Sequence, residues 1–292
     1  MSGINTNRTN ISLPTSVSNQ VIQKVQEESA IMKLAQPINL PGRGLTIPVI
    51  TSDPTAAWVS ETDLKPVSNP GLTTKLMKGY TISVMEIFSN QFRRDDGVLY
   101  DALINRLPLA LAKKFDSTVF GNESAPGDGF DTFAGCTAQS LASSVYDGLV
   151  AADTDIALHG GSCNGYAITP QMRSLLLSDK DKNDRPLFIN SVAEGAIPMI
   201  LGQPTYVTSA AFVAGSPNVV GVAGDWTKAM YGVVEGVDIS ISTDATVTLA
   251  DGTTNINLFQ RNMFAVRAEI EIGFVAQTEM FDILTASTVP SI

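Results

Sequence analysis

Residues 158–170 read LHGGSCNGYAITP and hold the only histidine of the 292-residue chain, His159, and one of its two cysteines, Cys163. A thiol, an imidazole and a glycine-rich backbone are the parts from which a nucleophile and an oxyanion hole are made. Such a pair works only when thiolate and imidazole touch and a third group orients the ring. Here the two residues are separated by two glycines and lie on no predicted helix, so nothing local holds them together. The G-x-S-x-G turn that would accompany an HGGG-type oxyanion loop is absent. The stretch therefore reads as a turn that feeds a short strand at Tyr166–Thr169.

A second candidate, DKDKND at Asp179–Asp184, imitates the start of a calcium loop. That loop needs glycine at its sixth position and a bidentate glutamate at its twelfth, where this chain has Asp184 and Asn190. The expectation is a solvated surface loop. No Walker loop, dinucleotide glycine pattern or His–carboxylate cluster is present, and Cys136 and Cys163 form no metal or redox spacing. We expect two free thiols, no metal, no cofactor and no catalysis.

Composition points to a building material. Hydrophobic residues make up 44% of the chain and charged residues only 16%, against about a quarter charged in ordinary soluble domains. A surface so poor in charge suits a subunit largely covered by other subunits. The balance of 19 Lys and Arg against 29 Asp and Glu, net −10, argues against a nucleic-acid reader, which must replace phosphate counterions with its own cations. It is compatible with enclosing nucleic acid without gripping it. The first twenty residues are polar and lack the apolar core of a signal peptide. No stretch approaches the roughly 20 apolar residues of a membrane span, so no membrane partner is expected.

The spacing of apolar residues places the elements. Val17, Ile22, Val21 and Val25 fit a short helix that ends before Pro37. Leu45, Ile47, Val49 and then Tyr80, Ile82, Val84 alternate as strands do. Between them lies a stretch rich in proline and turn residues, so the whole reads as one long two-stranded excursion. An isolated hairpin is marginal in water and its edges invite pairing, so this one is expected to lie on a neighbouring subunit. Leu99, Leu103, Leu107, Leu111, Phe115 and Val119 recur every four residues along a helix capped by Asp95 or Asp96, bent at Pro108 and stopped by Gly121. Beyond it, a helix over 141–152, a strand at Gly165, a helix opened by Pro170 and strands at 203–209 and 218–224 precede a β-rich end with clear alternation from Val266 to Val275.

In this order the segments resemble the major capsid protein of tailed bacteriophages, the Hong Kong 97 fold. AAWVSETDLKPVSN resembles the tip of that family's extended E-loop, and LYDALINRLPLALAKKFDSTVFGN its spine helix. NGYAITPQMRSLLLSDKDKNDRPLF resembles the strand–Pro–helix–loop of its A domain. ILGQPTYVTSAA and GDWTKAMYGVVEGVDISIS resemble the strands that follow, and NMFAVRAEIEIGF the last strand of its P domain. The resemblance implies a mixed α+β capsid fold: an N-terminal arm and short helix over 1–36, an E-loop over 37–92, a P domain with spine helix over 93–140 and 236–292, and an α/β A domain over 141–235. It implies pentamers and hexamers tiling an icosahedral virion shell, built in the host cytoplasm around double-stranded DNA that is not read by sequence. The alternative is an encapsulin-type compartment around cargo enzymes. Expected partners are copies of itself, a portal, a separate scaffolding protein with no proteolysis of this chain, and a decoration protein. Inter-subunit contacts fall to Trp58, Glu61, Lys65, Arg93 and Arg94. Some shells of the family join an E-loop lysine to a P-domain asparagine with a glutamate as base; the matching residues are Lys65, Asn262 and Glu269. The plainer reading gives Lys65 a surface ion pair and Glu269 an arginine partner across an interface.

Overall fold

A computed structural model describes the chain from Ser29 to Ser287, apart from positions 53, 70, 91–95, 182, 184, 186, 189–198 and 250–251. The expected helix around Val17–Val25, the caps at Asp95, and Arg93 and Arg94 lie outside the described residues.

Helix α1 (Ala30–Leu34) is a single turn capped by Ser29, whose hydroxyl accepts from the Met32 N–H at 3.1 Å. Helix α2 (Asp96–Val119) is the long element, and it stays helical through Pro108. Its four-residue row is inward: Leu107, Leu111, Phe115 and Val119 are all buried. The helix stops as the sequence requires. Gly121 takes φ 90, its N–H donates to Thr118 O, and Asn122 N–H donates to Ser117 O, a glycine closure that satisfies two of the last carbonyls. A side chain there would be excluded, since a Cβ would lie 2.8 Å from Ala134 Cβ.

Helix α2 packs on a four-stranded sheet in the order β1-β10-β13-β4 (Gln36–Asn39, Ala229–Ser242, Met263–Ala276 and Tyr80–Ser89). Here the strand pairing differs from expectation. Strand β2 (Leu45–Ser52) pairs with β3 (Gly71–Met77), from Leu45↔Met77 to Ile50↔Leu72. Strand β4 instead runs antiparallel to β13, from Met263↔Ser89 to Ile272↔Tyr80. The segment of β3, Gly-Leu-Thr-Thr-Lys-Leu-Met, shows no clear alternation and lies in the stretch expected to be turn-rich, so its sequence does not mark it as the partner. The choice is made by packing: Tyr80, Ile82, Val84 and Phe88 join the core under α2, which β3, with only Leu72, Leu76 and Met77 apolar, could not supply.

A six-stranded sheet follows in the order β5-β14-β9-β6-β8-β7 (Thr137–Ser140, Phe281–Ala286, Asn218–Gly224, Gly165–Ile168, Gln203–Val207 and Met199–Ile200). Helix α3 (Val145–Leu158) starts at the Ser144 cap and runs to the glycines at 160–161, beginning four residues and ending six residues later than the expected 141–152. Helix α4 (Pro170–Ser178) opens with proline, and Thr169 accepts from Met172 N–H. Both helices cover one face, with Leu149, Ile156, Met172 and Leu176 over Tyr166, Val220 and Leu284. Sheet membership cuts across the expected boundaries. Strands β5 and β14 belong to the six-stranded sheet, and β10 joins the four-stranded one from Ala229. The chain crosses between sheets at the short turns Trp226–Lys228 and Thr278–Met280, which carry no break in hydrophobicity to mark them. A small hairpin, β11 (Thr246–Thr248) with β12 (Asn255–Asn257), projects between β10 and β13.

One aromatic cluster joins the two sheets. Phe133 lies with ring centroids 4.8 Å from Phe281, 5.6 Å from Phe274, 5.7 Å from Trp226 and 6.1 Å from Phe120. The contacts with Phe274 and Trp226 are edge-to-face, a geometry that adds to simple area burial.

Candidate assembly interface

The His159–Cys163 turn is structural. His159 caps the end of α3, its Nδ1 2.9 Å from the Asp155 carbonyl oxygen. Cys163 is buried with its sulfur 3.9 Å from the Gly165 carbonyl, and burial pushes its thiol up, away from the thiolate a nucleophile requires. The residue that the turn positions is Asn164. Its side-chain oxygen accepts from Trp226 N–H at 2.9 Å and its amide donates to Asp225 Oδ1 at 3.1 Å. Sequence reasoning passed over Asn164 because an isolated Asn before a strand carries no pattern. Cys136 is buried too, and burial pushes its thiol up to about 12. Both cysteines are free.

Beneath α3, Asp282 of β14 is fully buried and accepts from Gln139 Nε2 at 2.9 Å. Burial raises its pKa; the Gln139 bond opposes this and the charge of Asp155 adds to it. Among the described residues, no three His, Cys, Asp or Glu side chains converge as metal ligands, and no helix is long and apolar enough to cross a membrane.

The surface that stands out is the hairpin. From Pro54 to Asn69 the chain leaves the β2–β3 ladder as an extended excursion closed by one turn, Asp63 N–H to Ser60 O. Its two limbs are tied where Thr55 N–H donates to Ser68 Oγ at 2.8 Å. Along it Trp58 is 105% exposed, Leu64 94% and Val67 89%. An indole left wholly in water forgoes several kcal/mol, at roughly 25 cal/mol per Å² over some 150–250 Å². Three large apolar side chains left in water along one sixteen-residue excursion suit a surface that another protein covers. The base of the hairpin is firmly fixed to its own subunit. Lys75 Nζ donates to Asp131 Oδ2 at 2.8 Å and to the Ala276 carbonyl at 2.6 Å, and Lys78 N–H donates to Gly129 O. Met77, Leu40 and Val275 form a small core beneath it. A rigid root with an apolar, uncovered tip is an arm.

The predicted contact residues Trp58, Glu61 and Lys65 all sit exposed on this tip. The proposed bond-forming set is not assembled within one subunit. Lys65 is on the tip. Asn262 lies in the turn before β13 with φ 54, its side-chain oxygen accepting from Asn90 Nδ2 at 2.7 Å. Glu269 is seven residues further along β13, about 23 Å at strand rise, and its Oε2 is 3.3 Å from Arg267 Nη2. The arginine partner of Glu269 is therefore in its own strand, two residues away on the same face, and not across an interface as expected.

A rigid two-sheet body, a long helix beneath one sheet and an apolar arm reaching away from it define a subunit built to be covered by its own kind. The chain belongs to the phage capsid family, whose model matches residues 10–281. It is 26% identical over 267 residues to the "Probable major capsid protein gp17" of Mycobacterium phage D29, covering 86% of this chain and 82% of that protein. Its fold is similar to a solved chain from Mycobacterium phage Bobi at TM-score 0.73 and 16% identity, covering 99% and 95%. It is also similar to the capsid of a native GTA particle computed with C5 symmetry, at TM-score 0.64 and 14% identity over 99% and 96%. The protein is a structural capsid subunit that assembles in multiple copies into the virion shell, and these relatives favour that reading over a cargo compartment.

Proposed function

We propose that copies of this chain close into pentamers and hexamers of an icosahedral head that confines double-stranded DNA. The role is mechanical and no reaction is catalysed. Helix α2 and the four-stranded sheet form the frame, the six-stranded sheets meet around capsomer axes, and the hairpin arm and the N-terminal segment fasten neighbours. The observation that carries this reading is the arm: Trp58, Leu64 and Val67 stand in water on a hairpin whose root is bonded to the body. A shell with net charge −10 per copy contains DNA without gripping it, because a confined genome needs no phosphate contacts. Assembly in the host cytoplasm with a separate scaffolding protein and a portal, and a decoration protein on the outer surface, accord with the family.

We also infer that the shell closes without a Lys65–Asn262 bond, because Glu269, the base that bond would need, is paired with Arg267. The test of the main reading is electron microscopy of the full chain expressed with its scaffolding protein. Closed shells are expected from the unaltered chain and are expected to be lost in Trp58→Ala. Monomers from the unaltered chain under these conditions would refute it.

A further inference from the structure

Two buried carboxylate oxygens meet no hydrogen-bond donor: Asp155 Oδ2 on α3 and Asp282 Oδ1 on β14. Asp282 is fully buried and shares a strand face with Leu284 and Ala286, the face that α3 covers. Asp155 follows Ala152 and precedes Ile156, the two fully buried residues by which α3 sits on that face. The second oxygen of Asp282, Oδ2, already accepts from Gln139 Nε2 at 2.9 Å, and the Asp155 carboxyl lies within hydrogen-bond reach of Asp282. An acceptor without a donor in such a place has lost its water and gained nothing. Two ionised carboxylates facing each other also repel. A single proton removes both faults, because it turns one carboxyl into a donor to the other.

We propose that Asp155 and Asp282 share one proton, and that this carboxyl–carboxylate bond latches the end of α3 to β14. The groups that face the pair are few. From α3, His159 stands one turn on, with Nδ1 3.9 Å from Asp155 Oδ2 and 2.9 Å from the Asp155 carbonyl oxygen. From β5, Gln139 is neutral. The Cys136 thiol just before that strand is pushed up to about 12 and carries no charge at neutral pH. On β9 the residue opposite Asp282 is Ala223. Burial raises the Asp282 pKa from 3.8 to about 6; the Gln139 bond lowers it, the charge and hydrogen bond of Asp155 raise it, and protonated His159 lowers it. The titration belongs to the pair and not to either carboxyl alone.

The latch holds a wall that faces the arm. His159 and Gly160, directly after α3, line a cleft of about 520 Å³ whose other side is Ile47, Val49 and Ile50 of β2 at the root of the hairpin. The folded pKa is raised, so the latch is fully present below about pH 4 and is lost as pH rises through about 6. Above that window both carboxyls ionise and the last turn of α3 parts more readily from β14, which loosens the wall. With one proton bound at about 6 when latched and at 3.8 when open, the closed form is favoured about tenfold more at pH 5 than at pH 8. The latch lies within one subunit, so it does not depend on the capsid reading.

The test is hydrogen exchange of the full chain between pH 5 and pH 8, read by mass spectrometry with each rate divided by the intrinsic rate at that pH. Protection of peptides covering 150–161 is expected to fall about tenfold over this range, while that of α4, on the same face of the sheet, stays level. Asp155→Asn gives Asp282 an amide donor that does not titrate, and should flatten the profile and keep the segment closed at pH 8. Asp282→Asn should flatten it too, and serves if the first variant does not fold. His159→Gln is expected to keep the fall. That control is needed because an imidazolium at a helix C-terminus also stabilises in acid; a profile flattened by His159→Gln would assign the effect to the ring and overturn the inference. A level profile in the unaltered chain would overturn it, and so would a fall that persists in both Asp variants. Protection restored at pH 8 by millimolar calcium would put a cation where the proton is proposed, and would overturn it as well.

Discussion

Asp116 should make the subunit more stable in mild acid than at neutral pH. It is 2% exposed on the inner side of α2, where it holds the Ser29 hydroxyl and the Ala30 N–H. Burial raises its pKa from 3.8 to about 6, and the bonds from Ser29 and Ala30 offset only part of that rise. A group whose folded pKa is raised holds its proton more tightly in the folded state, so its contribution is fully present below about pH 4 and lost as pH rises through about 6. At 1.36 kcal/mol per unit, the loss between pH 4 and pH 8 is about 2 to 3 kcal/mol. Asp116→Asn removes the titration while an amide oxygen still accepts from Ala30. The measurement is denaturant unfolding of the full chain at several pH values in a Trp58→Phe background. Trp226, 3% exposed, is then the only tryptophan and reports the core. The stability difference, unaltered minus Asp116→Asn, should fall by that amount from pH 4 to pH 8. Parallel curves would refute the reasoning, because they would mean that the buried carboxyl titrates as it does in the unfolded chain.

Other outcomes follow from the same packing. Phe133→Ala removes the ring at the centre of the cluster with Phe120, Trp226, Phe274 and Phe281, and is expected to cost about 3–5 kcal/mol in denaturant unfolding. Trp58→Ala should leave that unfolding free energy within about 0.5 kcal/mol, the usual range for surface changes, while abolishing shells; a large loss of subunit stability would contradict the arm assignment. Cys136 and Cys163 should resist an aromatic disulfide reagent until denaturant is added, since both thiols are buried and pushed up. Boiled shells should run as a single band near 31.0 kDa; a ladder that survives boiling and reductant and disappears in Lys65→Ala would show that Lys65 is joined across subunits after all.

Much of the architecture is written in local pattern. The row from Leu107 to Val119, the glycine stop at Gly121, the Pro170 start and the alternation of β13 each follow from side-chain period and backbone limits, which act over a few residues. The low charge and the unsupported hairpin likewise follow from composition, because surface that is neither charged nor folded inward must be covered. The reading of the histidine turn as structural also needed only sequence, since two glycines cannot hold an imidazole against a thiol.

What tertiary structure alone decided is partnership. Strand β2, expected to pair with the alternating strand at Tyr80, pairs instead with β3, whose sequence does not alternate, because β4 fills the core under α2 against β13. The crossing at Trp226, which sets sheet membership apart from sequence order, is fixed by part-buried contacts of Asn164 with Asp225 and Trp226, across sixty-odd residues. Asp116 gave no sign of its role either, because its partner Ser29 is 87 residues away. Local sequence sets which face of a strand or helix is apolar; which other face it meets depends on contacts between distant segments, and those exist only once the chain has folded.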